Sequence, residues 1–223
     1  MKNLKQQAYD MIKGKILRCE YAPDTMINEE ILCQDTGMSR TPIRDAVSRL
    51  EQEGLVHIYP KKGIQISKFT FHDVAVLYEA RTVLELYAVR NHGHRVPKDQ
   101  LRQMIDRFQK EAADNTERTY ETDDQFHTLL IESTGNDFFV EMYGRMLNQI
   151  HRLRVLNGYN MTANRERILQ SAREHIAIAT DILEGRLEEA AREMANHLSA
   201  SQAAACSVLM KDNYDNIHVK PDE

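Results

Sequence analysis

The chain has 223 residues, 42% of them hydrophobic and 28% charged, and a formal net charge of −5. This length and composition predict one small and one medium-sized domain with packed cores. No apolar run approaches the roughly 20 residues of a membrane helix, and the N-terminal segment lacks a signal-peptide core, so we expect a cytoplasmic protein without a membrane partner. Three scattered cysteines are typical of neither a disulfide framework nor a zinc knuckle.

Three helices are predicted in the N-terminal part of the chain. An amphipathic helix over residues 4–17 is expected to bury one apolar side, which consists of Leu4, Ala8, Met11, Ile12 and Ile16. A second short helix is predicted over residues 27–33. Thr41 can cap a third helix, Pro42 suits its first position, and Gly54 ends it.

Two β-prone runs follow the third helix, at residues 55–59 and 63–67. The link between them, Pro60-Lys61-Lys62, makes a hairpin with a basic tip. A short basic helix by itself is most simply a solvated surface helix. Helix, turn, basic helix and wing together predict a winged helix-turn-helix, which places its last helix in the major groove of double-stranded DNA.

Charge is divided unevenly along the chain. Residues 1–69 contain 11 lysines and arginines against 9 aspartates and glutamates, whereas the remainder contains 18 against 25. This N-terminal surplus is modest, so DNA binding is expected to depend on a local basic patch and on a homodimer, which doubles that patch. The patch consists of Arg40, Arg44, Arg49, Lys61 and Lys62.

The pattern from residue 70 to residue 210 is helical throughout. Six segments are separated by turn formers, and they cover residues 72–92, 97–113, 116–133, 137–157, 164–184 and 187–210. We therefore expect a mainly α chain, with a winged helix-turn-helix domain over residues 1–69 and an all-α antiparallel helical bundle over residues 70–210. The polar residues 211–223 are expected to form a flexible tail.

Four side chains of the predicted bundle are suited to binding a metal. Asp123 and His127 are four residues apart and share one face of a helix. His175 precedes the turn at Gly185 by ten residues and His197 follows it by twelve, so antiparallel helices bring the two histidines to similar heights. One aspartate and three histidines suit a divalent transition metal. The chain has nine histidines, however, and chance placement is the alternative.

A long motif passes through the predicted third helix and the wing. It consists of Gly37-Met38-Ser39-Arg40-Thr41-Pro42-Ile43-Arg44-Asp45-Ala46, Arg49-Leu50-Glu51, Glu53-Gly54-Leu55 and Pro60-Lys61-Lys62-Gly63. These runs resemble the DNA-binding domain of GntR-family transcription regulators. The resemblance implies that Arg40, Thr41 and Arg44 contact operator bases or phosphates, and that the wing approaches DNA closely at Gly63.

A second motif lies in the bundle and consists of Asp123-x-x-Phe126-His127, Gly135-Asn136, Glu174-His175 and His197-Leu198. It resembles the C-terminal ligand-sensing FCD domain of the FadR subfamily, whose metal-binding members use an aspartate and three histidines in this order. The resemblance implies a bound Zn, Ni, Mn, Co or Fe ion beside a small organic acid. Arg81 matches a pocket arginine of the family, and Arg154 or Arg152 is a candidate for another, because a guanidinium can hold both oxygens of a carboxylate. An ion pair of Arg81 with Glu85 is the alternative.

Together the resemblances imply a transcription regulator that binds a palindromic operator as a homodimer and responds to a small carboxylate effector. Two alternatives remain. In the first, the metal ion itself is the effector. In the second, the metal serves an enzyme; this is less well supported, because no general base, nucleophile or glycine-rich phosphate loop accompanies the histidines and an enzyme has no need of a DNA-binding domain.

Overall fold

The structure is a computed structural model that describes residues 4–113, 121–156 and 165–210. The chain divides into two compact units, the first ending at Thr70 and the second covering Phe71–Met210. No helix within the described ranges is both long enough and apolar enough to cross a membrane. Each unit is described separately below.

The first unit is a winged helix-turn-helix. Its elements in chain order are α1 (Leu4–Leu17), β1 (Met26–Ile27), α2 (Glu29–Thr36), α3 (Arg40–Gln52), β2 (Val56–Tyr59) and β3 (Gly63–Ile66). Both β1 and β2 pair with β3 in antiparallel register, giving the strand order β1-β3-β2. The apolar sides of the three helices and the sheet enclose one core, which includes Ile12, Ile16, Leu32, Ile43, Leu50, Leu55 and Ile66.

The buried side of α1 differs from the predicted one. Leu4 and Met11 are 62% and 41% exposed, so their assignment to the core was wrong, whereas Tyr9 is buried. The Tyr9 ring can enter the core because its hydroxyl donates to Glu53 Oε1 at 2.5 Å and accepts from Lys13 Nζ at 2.7 Å. A tyrosine whose polar end is satisfied in this way can be buried like an apolar residue.

Two helices also begin at residues other than those predicted. Ile27 belongs to β1, and α2 begins only at Glu29 because the Asn28 side chain accepts a hydrogen bond from the Ile31 amide at 2.9 Å and caps the helix. For α3 the N-cap is Ser39, whose backbone is extended, and Thr41 already lies inside the first turn. The assignment of Thr41 as the cap was therefore wrong.

The second unit is an all-α bundle, as predicted. Its helices are α4 (Phe71–His92), α5 (Lys98–Ala113), α6 (Glu121–Glu132), α7 (Asp137–Leu156), α8 (Arg165–Leu183) and α9 (Leu187–Met210), with a short 3₁₀ turn at Gly93–Arg95. Helix α4 packs against α9, α5 against α8, and α8 against α9. The predicted breaks within residues 114–120 and 157–164, and the predicted tail at 211–223, lie outside the described residues.

The bundle buries polar side chains as well as apolar ones. Its apolar core includes Phe108, Phe126, Leu130, Ile178, Met194 and Leu198. Buried charged or titratable residues of the described bundle include Arg81 and Glu85 on α4, Asp123 and His127 on α6, Arg152 on α7, His175 on α8 and His197 on α9. Burying such groups is unfavourable unless each has a partner, so their contacts indicate what this part of the bundle does.

Candidate metal centre and DNA-binding surface

Three helices bring the four predicted metal ligands to one point. Asp123 and His127 come from α6, His175 from α8 and His197 from α9, and all four are buried. One ligand atom from each lies within 4.8 Å of every other. The four-residue spacing places Asp123 and His127 on one side of α6, and the tight α8–α9 connection at Gly185, with φ of 77°, lets the two later histidines face it.

The donor atoms are close enough to share one ion. His175 Nε2 lies 3.2 Å from His127 Nε2, 3.2 Å from His197 Nε2 and 3.4 Å from Asp123 Oδ1. Metal–nitrogen bonds of about 2.0–2.1 Å at angles of about 90–109° give nitrogen–nitrogen separations of about 2.8–3.4 Å. The observed spacing therefore matches the edge of a metal coordination shell.

Two glutamates orient His127 and His197, the histidines on either side of His175. His127 Nδ1 lies 2.6 Å from Glu85 Oε2, and His197 Nδ1 lies 2.7 Å from Glu174 Oε2. A carboxylate accepts only, so in the neutral imidazole each Nδ1 carries the proton and each Nε2 presents a lone pair to the centre. Carboxylates in this position are the usual outer partners of metal-binding histidines.

Burial keeps His175 and His197 neutral. It holds the pKa of His175 well below its ordinary value and lowers the pKa of His197 to about 4. Burial alone would raise the pKa of Glu85, but Arg81 and His127 outweigh it and lower that pKa to about 2. Near neutral pH His175 and His197 are therefore neutral and Glu85 is ionised, which are the protonation states that a metal site requires of such groups.

The contacts between the imidazoles fit a cation better than they fit hydrogen bonds. His175 Nε2 faces two other Nε2 atoms, and it holds at most one proton, so it can donate to only one of them. The other nitrogen–nitrogen contact would bring two lone pairs together in a buried place. A divalent cation at the centre would accept all of these lone pairs, so the residues present fit a transition metal.

A small cavity of about 40 Å³ adjoins this cluster. Its lining includes the polar or charged residues Tyr78, Arg81, Asp123, Arg154, Arg167, Ser171 and Ser201. This volume has room for about three or four waters, since one water needs roughly 10–15 Å³ by this measure. Three guanidiniums and the Asp123 carboxylate therefore line one small space.

The predicted effector-binding arginines take different positions. Arg81 is 1% exposed, its Nε donates to Glu85 Oε1 at 2.7 Å, and its Nη2 has no hydrogen-bond partner within the described chain. The ion pair with Glu85, the alternative interpretation of Arg81, is thus present, although Arg81 also lines the cavity. Arg154 lines the cavity and bonds to Asp123, whereas Arg152 is buried outside the lining and donates to Gln149 Oε1 at 3.1 Å.

The predicted DNA-contacting residues of α3 are exposed at the start of that helix. Arg40, Thr41 and Arg44 all lie in its first turn and a half, and Lys61 and Lys62 are exposed at the tip of the wing. Arg44 does not stand alone, because its Nε donates to Glu29 Oε1 on α2 at 2.7 Å. The surface therefore offers basic groups from both the helix and the hairpin.

Arg49 and Gly63 have contacts within the winged unit itself. The Arg49 guanidinium lies 3.9 Å from the centre of the Tyr9 ring, and its Nη1 donates to Gln6 Oε1 at 3.1 Å. Gly63 has φ of 128°, and a Cβ placed there would lie 2.8 Å from the Ile27 carbonyl oxygen of β1. The close approach that requires glycine in this structure is thus between β3 and β1.

Comparison with known families agrees with both units. Residues 4–66 match the gntR family of bacterial regulatory proteins, and residues 76–200, more than half of the chain, match the FCD domain. The chain is a GntR-family regulator with an FCD domain. It is thus a DNA-binding transcription regulator, and this domain pair is consistent with the FadR subfamily.

Relatives of this GntR–FCD regulator have similar names. It is 29% identical over 198 residues to the uncharacterised HTH-type transcriptional regulator YdhC of Bacillus subtilis, an alignment that covers 86% of this chain and 87% of YdhC. It is 23% identical to the transcriptional repressor RspR of Escherichia coli, covering 86% and 85% of the two chains. The family and these relatives are named as regulators, which confirms the prediction that the chain is not an enzyme.

Solved structures share the fold of this GntR–FCD regulator. A GntR regulator from Rhodococcus sp. RHA1 aligns with a TM-score of 0.73 and 18% identity, over 91% of this chain and 97% of that one. The Zn²⁺-bound FCD domain of TM0439 aligns with a TM-score of 0.56 and 22% identity, over 65% of this chain and 99% of that one.

Sequence reasoning missed three residues of the site in this regulator: Glu85, Glu174 and Arg167. The spacing of Arg81 and Glu85 indicated an ion pair but gave no sign of His127, which is 42 residues away. Glu174 is adjacent to His175 in sequence, yet its hydrogen bond goes to His197 on the next helix. Arg167 reaches Glu174 over two helical turns, and only the helix packing shows that it also lines the cavity.

Proposed function

We propose that the FCD domain of this regulator holds a divalent transition metal on Asp123, His127, His175 and His197, and binds a small carboxylate in the adjoining cavity. The bound carboxylate modulates operator binding by the winged domain. The observation that carries this proposal is the convergence of three imidazoles and one carboxylate beside a cavity with three arginines.

The donor set supports a metal of the first transition series. Imidazole and carboxylate ligands suit Zn, Ni, Co, Mn and Fe, and affinity along this series depends more on the metal than on the site, so the supply in the cell decides which ion is bound. That the FCD domain of TM0439 has been obtained with Zn²⁺ supports zinc as the first ion to test. The ion would act as a Lewis acid toward an effector oxygen.

The cavity supports a small organic acid as the effector. Its guanidiniums come from Arg81 on α4, Arg154 on α7 and Arg167 on α8, so a carboxylate bound among them would contact three helices at once. The free Nη2 of Arg81 can donate to such an oxygen. Since the effector must bind one arrangement of the regulator more tightly than another, contacts to several helices are a suitable means of selecting an arrangement.

The winged domain supplies the DNA contacts in this proposal. Arg40, Thr41 and Arg44 enter the major groove with the start of α3, and Lys61 and Lys62 contact the phosphates through the wing. A single domain with so few cations binds weakly, so the regulator acts as a homodimer on a palindromic operator. Residues 1–69 and 70–210 are the corresponding DNA-binding and effector domains, and the protein works in the cytoplasm, where the DNA is.

The experiment has two parts, both on the full-length protein. Elemental analysis after purification without chelators is expected to find about one Zn, Ni, Mn, Co or Fe per chain, and His127→Ala, His175→Ala and His197→Ala are expected to lose it. A thermal-shift screen of organic acids on the metal-loaded protein is expected to find stabilising acids, and Arg81→Ala is expected to lose that stabilisation. Absence of metal in the wild type, together with no stabilisation by added Zn or Ni, would contradict the proposal.

A second candidate is a regulator that senses the metal itself. Four protein ligands are enough to hold a tetrahedral ion with no effector present, which favours this candidate. Operator duplexes selected from random DNA by the purified protein would separate the two. Metal sensing predicts that added Zn or Ni alone changes operator affinity in carboxylate-free buffer, whereas the effector proposal predicts a change only when an organic acid is added.

A further inference from the structure

Two arginines of the cavity are joined to metal-ligand candidates through a glutamate, and the third bonds to a ligand candidate directly. The first connection is fully buried: Arg81 Nε donates to Glu85 Oε1 at 2.7 Å, and Glu85 Oε2 accepts from His127 Nδ1 at 2.6 Å. Both charged side chains are at most 1% exposed. The guanidinium and the imidazole thus compete for the charge of one glutamate.

A second connection repeats this arrangement on another helix. Arg167 Nη1 donates to Glu174 Oε2 at 3.1 Å, and the same oxygen accepts from His197 Nδ1 at 2.7 Å. These side chains are less buried than the first set, with Arg167 23% and Glu174 14% exposed. The third arginine, Arg154, bonds to Asp123 directly. Three of the four ligands are therefore linked to the cavity.

We infer that Glu85 and Glu174 couple the cavity to the metal centre, so that an anion on the arginines strengthens metal binding even when the anion does not touch the ion. This inference rests on the proposed function, since it concerns the same cavity and the same four ligands. Glu85 and Glu174 are positioning residues, because they touch neither the anion nor the ion.

The physical reason is competition for the carboxylate charge. Without an anion, Arg81 draws the Glu85 charge toward itself and weakens the Glu85 hydrogen bond to His127. An anion on Arg81 offsets the guanidinium charge, Glu85 becomes a stronger acceptor, and the imidazole becomes a better electron donor at Nε2. The effect is large only where water does not screen it, so the buried Glu85 connection should contribute more than the Glu174 connection.

Linkage makes this coupling measurable from either side. If an anion raises metal affinity by some factor, the metal raises anion affinity by the same factor. An anion that coordinates the ion directly would also raise the affinity for metal, so this rival explanation has to be separated from coupling through the glutamates. The two explanations differ in Glu85→Gln, which keeps the shape of the side chain and removes its charge: direct coordination keeps the coupling factor, and the glutamate connection loses it.

The experiment measures Ni²⁺ affinity of metal-stripped, full-length protein by competition with a chromophoric chelator, in sodium acetate and in sodium chloride of equal ionic strength. Acetate is the probe because it carries the carboxylate and chelates metals poorly. For the wild type we expect acetate to raise Ni²⁺ affinity roughly 5- to 50-fold, within the usual range of coupling between sites. Glu85→Gln should lower Ni²⁺ affinity about 10- to 100-fold, as loss of such outer partners does.

The deciding quantity is the acetate factor of each variant, which is its Ni²⁺ affinity in acetate divided by its Ni²⁺ affinity in chloride. It should fall below about 2 in Glu85→Gln and fall partly in Glu174→Gln, whereas the exposed Glu79→Gln on α4 and Glu166→Gln on α8 should keep the wild-type factor. An unchanged factor in Glu85→Gln overturns the inference and leaves the proposed function standing. A wild type that binds neither Ni²⁺ nor Zn²⁺ overturns both. Should Glu85→Gln fail to fold by circular dichroism, the factor in Glu174→Gln decides.

Discussion

Arg44 of α3 donates from Nε to Glu29 Oε1 of α2 at 2.7 Å. The Arg44 side chain is 67% exposed, so water screens this pair and it adds little to stability. Its importance lies in competition: any contact of Arg44 with DNA has to displace a carboxylate that the neighbouring helix holds in place. Glu29 also brings a negative charge to the surface that faces the phosphates in the proposed complex.

Glu29→Gln is therefore expected to tighten DNA binding. Removing the charge frees Arg44 and reduces repulsion from the phosphates, and we expect roughly 3- to 10-fold higher affinity at low salt, with a smaller gain at high salt. Fluorescence anisotropy on a selected operator duplex measures this. Glu30→Gln is the matched control, because it removes the same charge from the next residue without releasing Arg44. Equal gains in the two variants would show that the pair itself is unimportant.

Arg44→Ala and Arg49→Ala are expected to have different effects. If Arg44 reads a guanine edge, its loss costs about 1–3 kcal/mol on the operator and much less on random DNA. Arg49 stacks on Tyr9 inside the winged domain, so its loss should lower the free energy of unfolding by about 0.5–1 kcal/mol with a smaller effect on DNA specificity. Equal losses on operator and random DNA for Arg44→Ala would mean that Arg44 contacts phosphate only.

Removal of metal is expected to lower the melting temperature. An ion present at 100 times its Kd stabilises the folded form by about 2.7 kcal/mol, which corresponds to roughly 5–10 °C for a chain of this size. Thermal unfolding with and without a chelator measures the shift. His127→Ala should show almost no difference between the two conditions, while the exposed His94→Ala should behave like the wild type.

Gly63→Ala is expected to destabilise the winged domain by about 2–3 kcal/mol, because it combines an unfavourable φ with a Cβ 2.8 Å from the Ile27 carbonyl oxygen. Gly37→Ala is the control: that residue has φ of 68°, but nothing lies within 4 Å of the added Cβ, so about 1 kcal/mol is expected. Chemical denaturation measures both. If Gly63→Ala is fully stable and loses only DNA affinity, the glycine serves the approach to DNA.

Acid is expected to remove a contribution of Asp35 to stability. The hydrogen bond from Tyr21, at 2.6 Å, lowers the pKa of Asp35. A carboxylate whose pKa is lower in the folded state stabilises that state above the unfolded pKa, and this stability is lost as the pH falls through the folded pKa. Asp35→Asn should thus be about 1 kcal/mol less stable than the wild type at pH 7. The difference should shrink as the pH falls below the ordinary aspartate range and vanish once Asp35 is protonated in the folded state. A constant difference across this range would contradict the assignment.

The sequence predicted the fold well because its signals are local. The bounds of α1 and α9 match the prediction, since helical spacing and turn formers such as Gly185 act over a few residues. Errors arose where a side chain made a contact that residue spacing does not show. The Tyr9 hydroxyl donates to Glu53, which allows Tyr9 to be buried, and the Asn28 side chain caps α2, which moves the start of that helix.

The candidate site likewise contains residues that the sequence predicted and residues that it could not predict. The four ligand candidates followed from spacing and resemblance, and the structure brings one ligand atom of each within 4.8 Å of the others. The carboxylates behind them could not be found from spacing, because Glu85 and His127 are on different helices whose packing brings them together. Arg81 shows most clearly what sequence reasoning could not resolve. The ion pair with Glu85 and the place in the pocket were alternatives, but the same side chain makes the ion pair and lines the cavity.

The ligand candidates lie far apart along the chain, at residues 123 on α6 and 197 on α9. An ion between them would close a long loop, and the helices could not separate until it left. Copies without metal would open more often, and a cellular protease cuts a chain in proportion to its open fraction. The lifetime of the regulator, and with it the number of copies in the cell, would then follow metal supply even at a constant rate of synthesis.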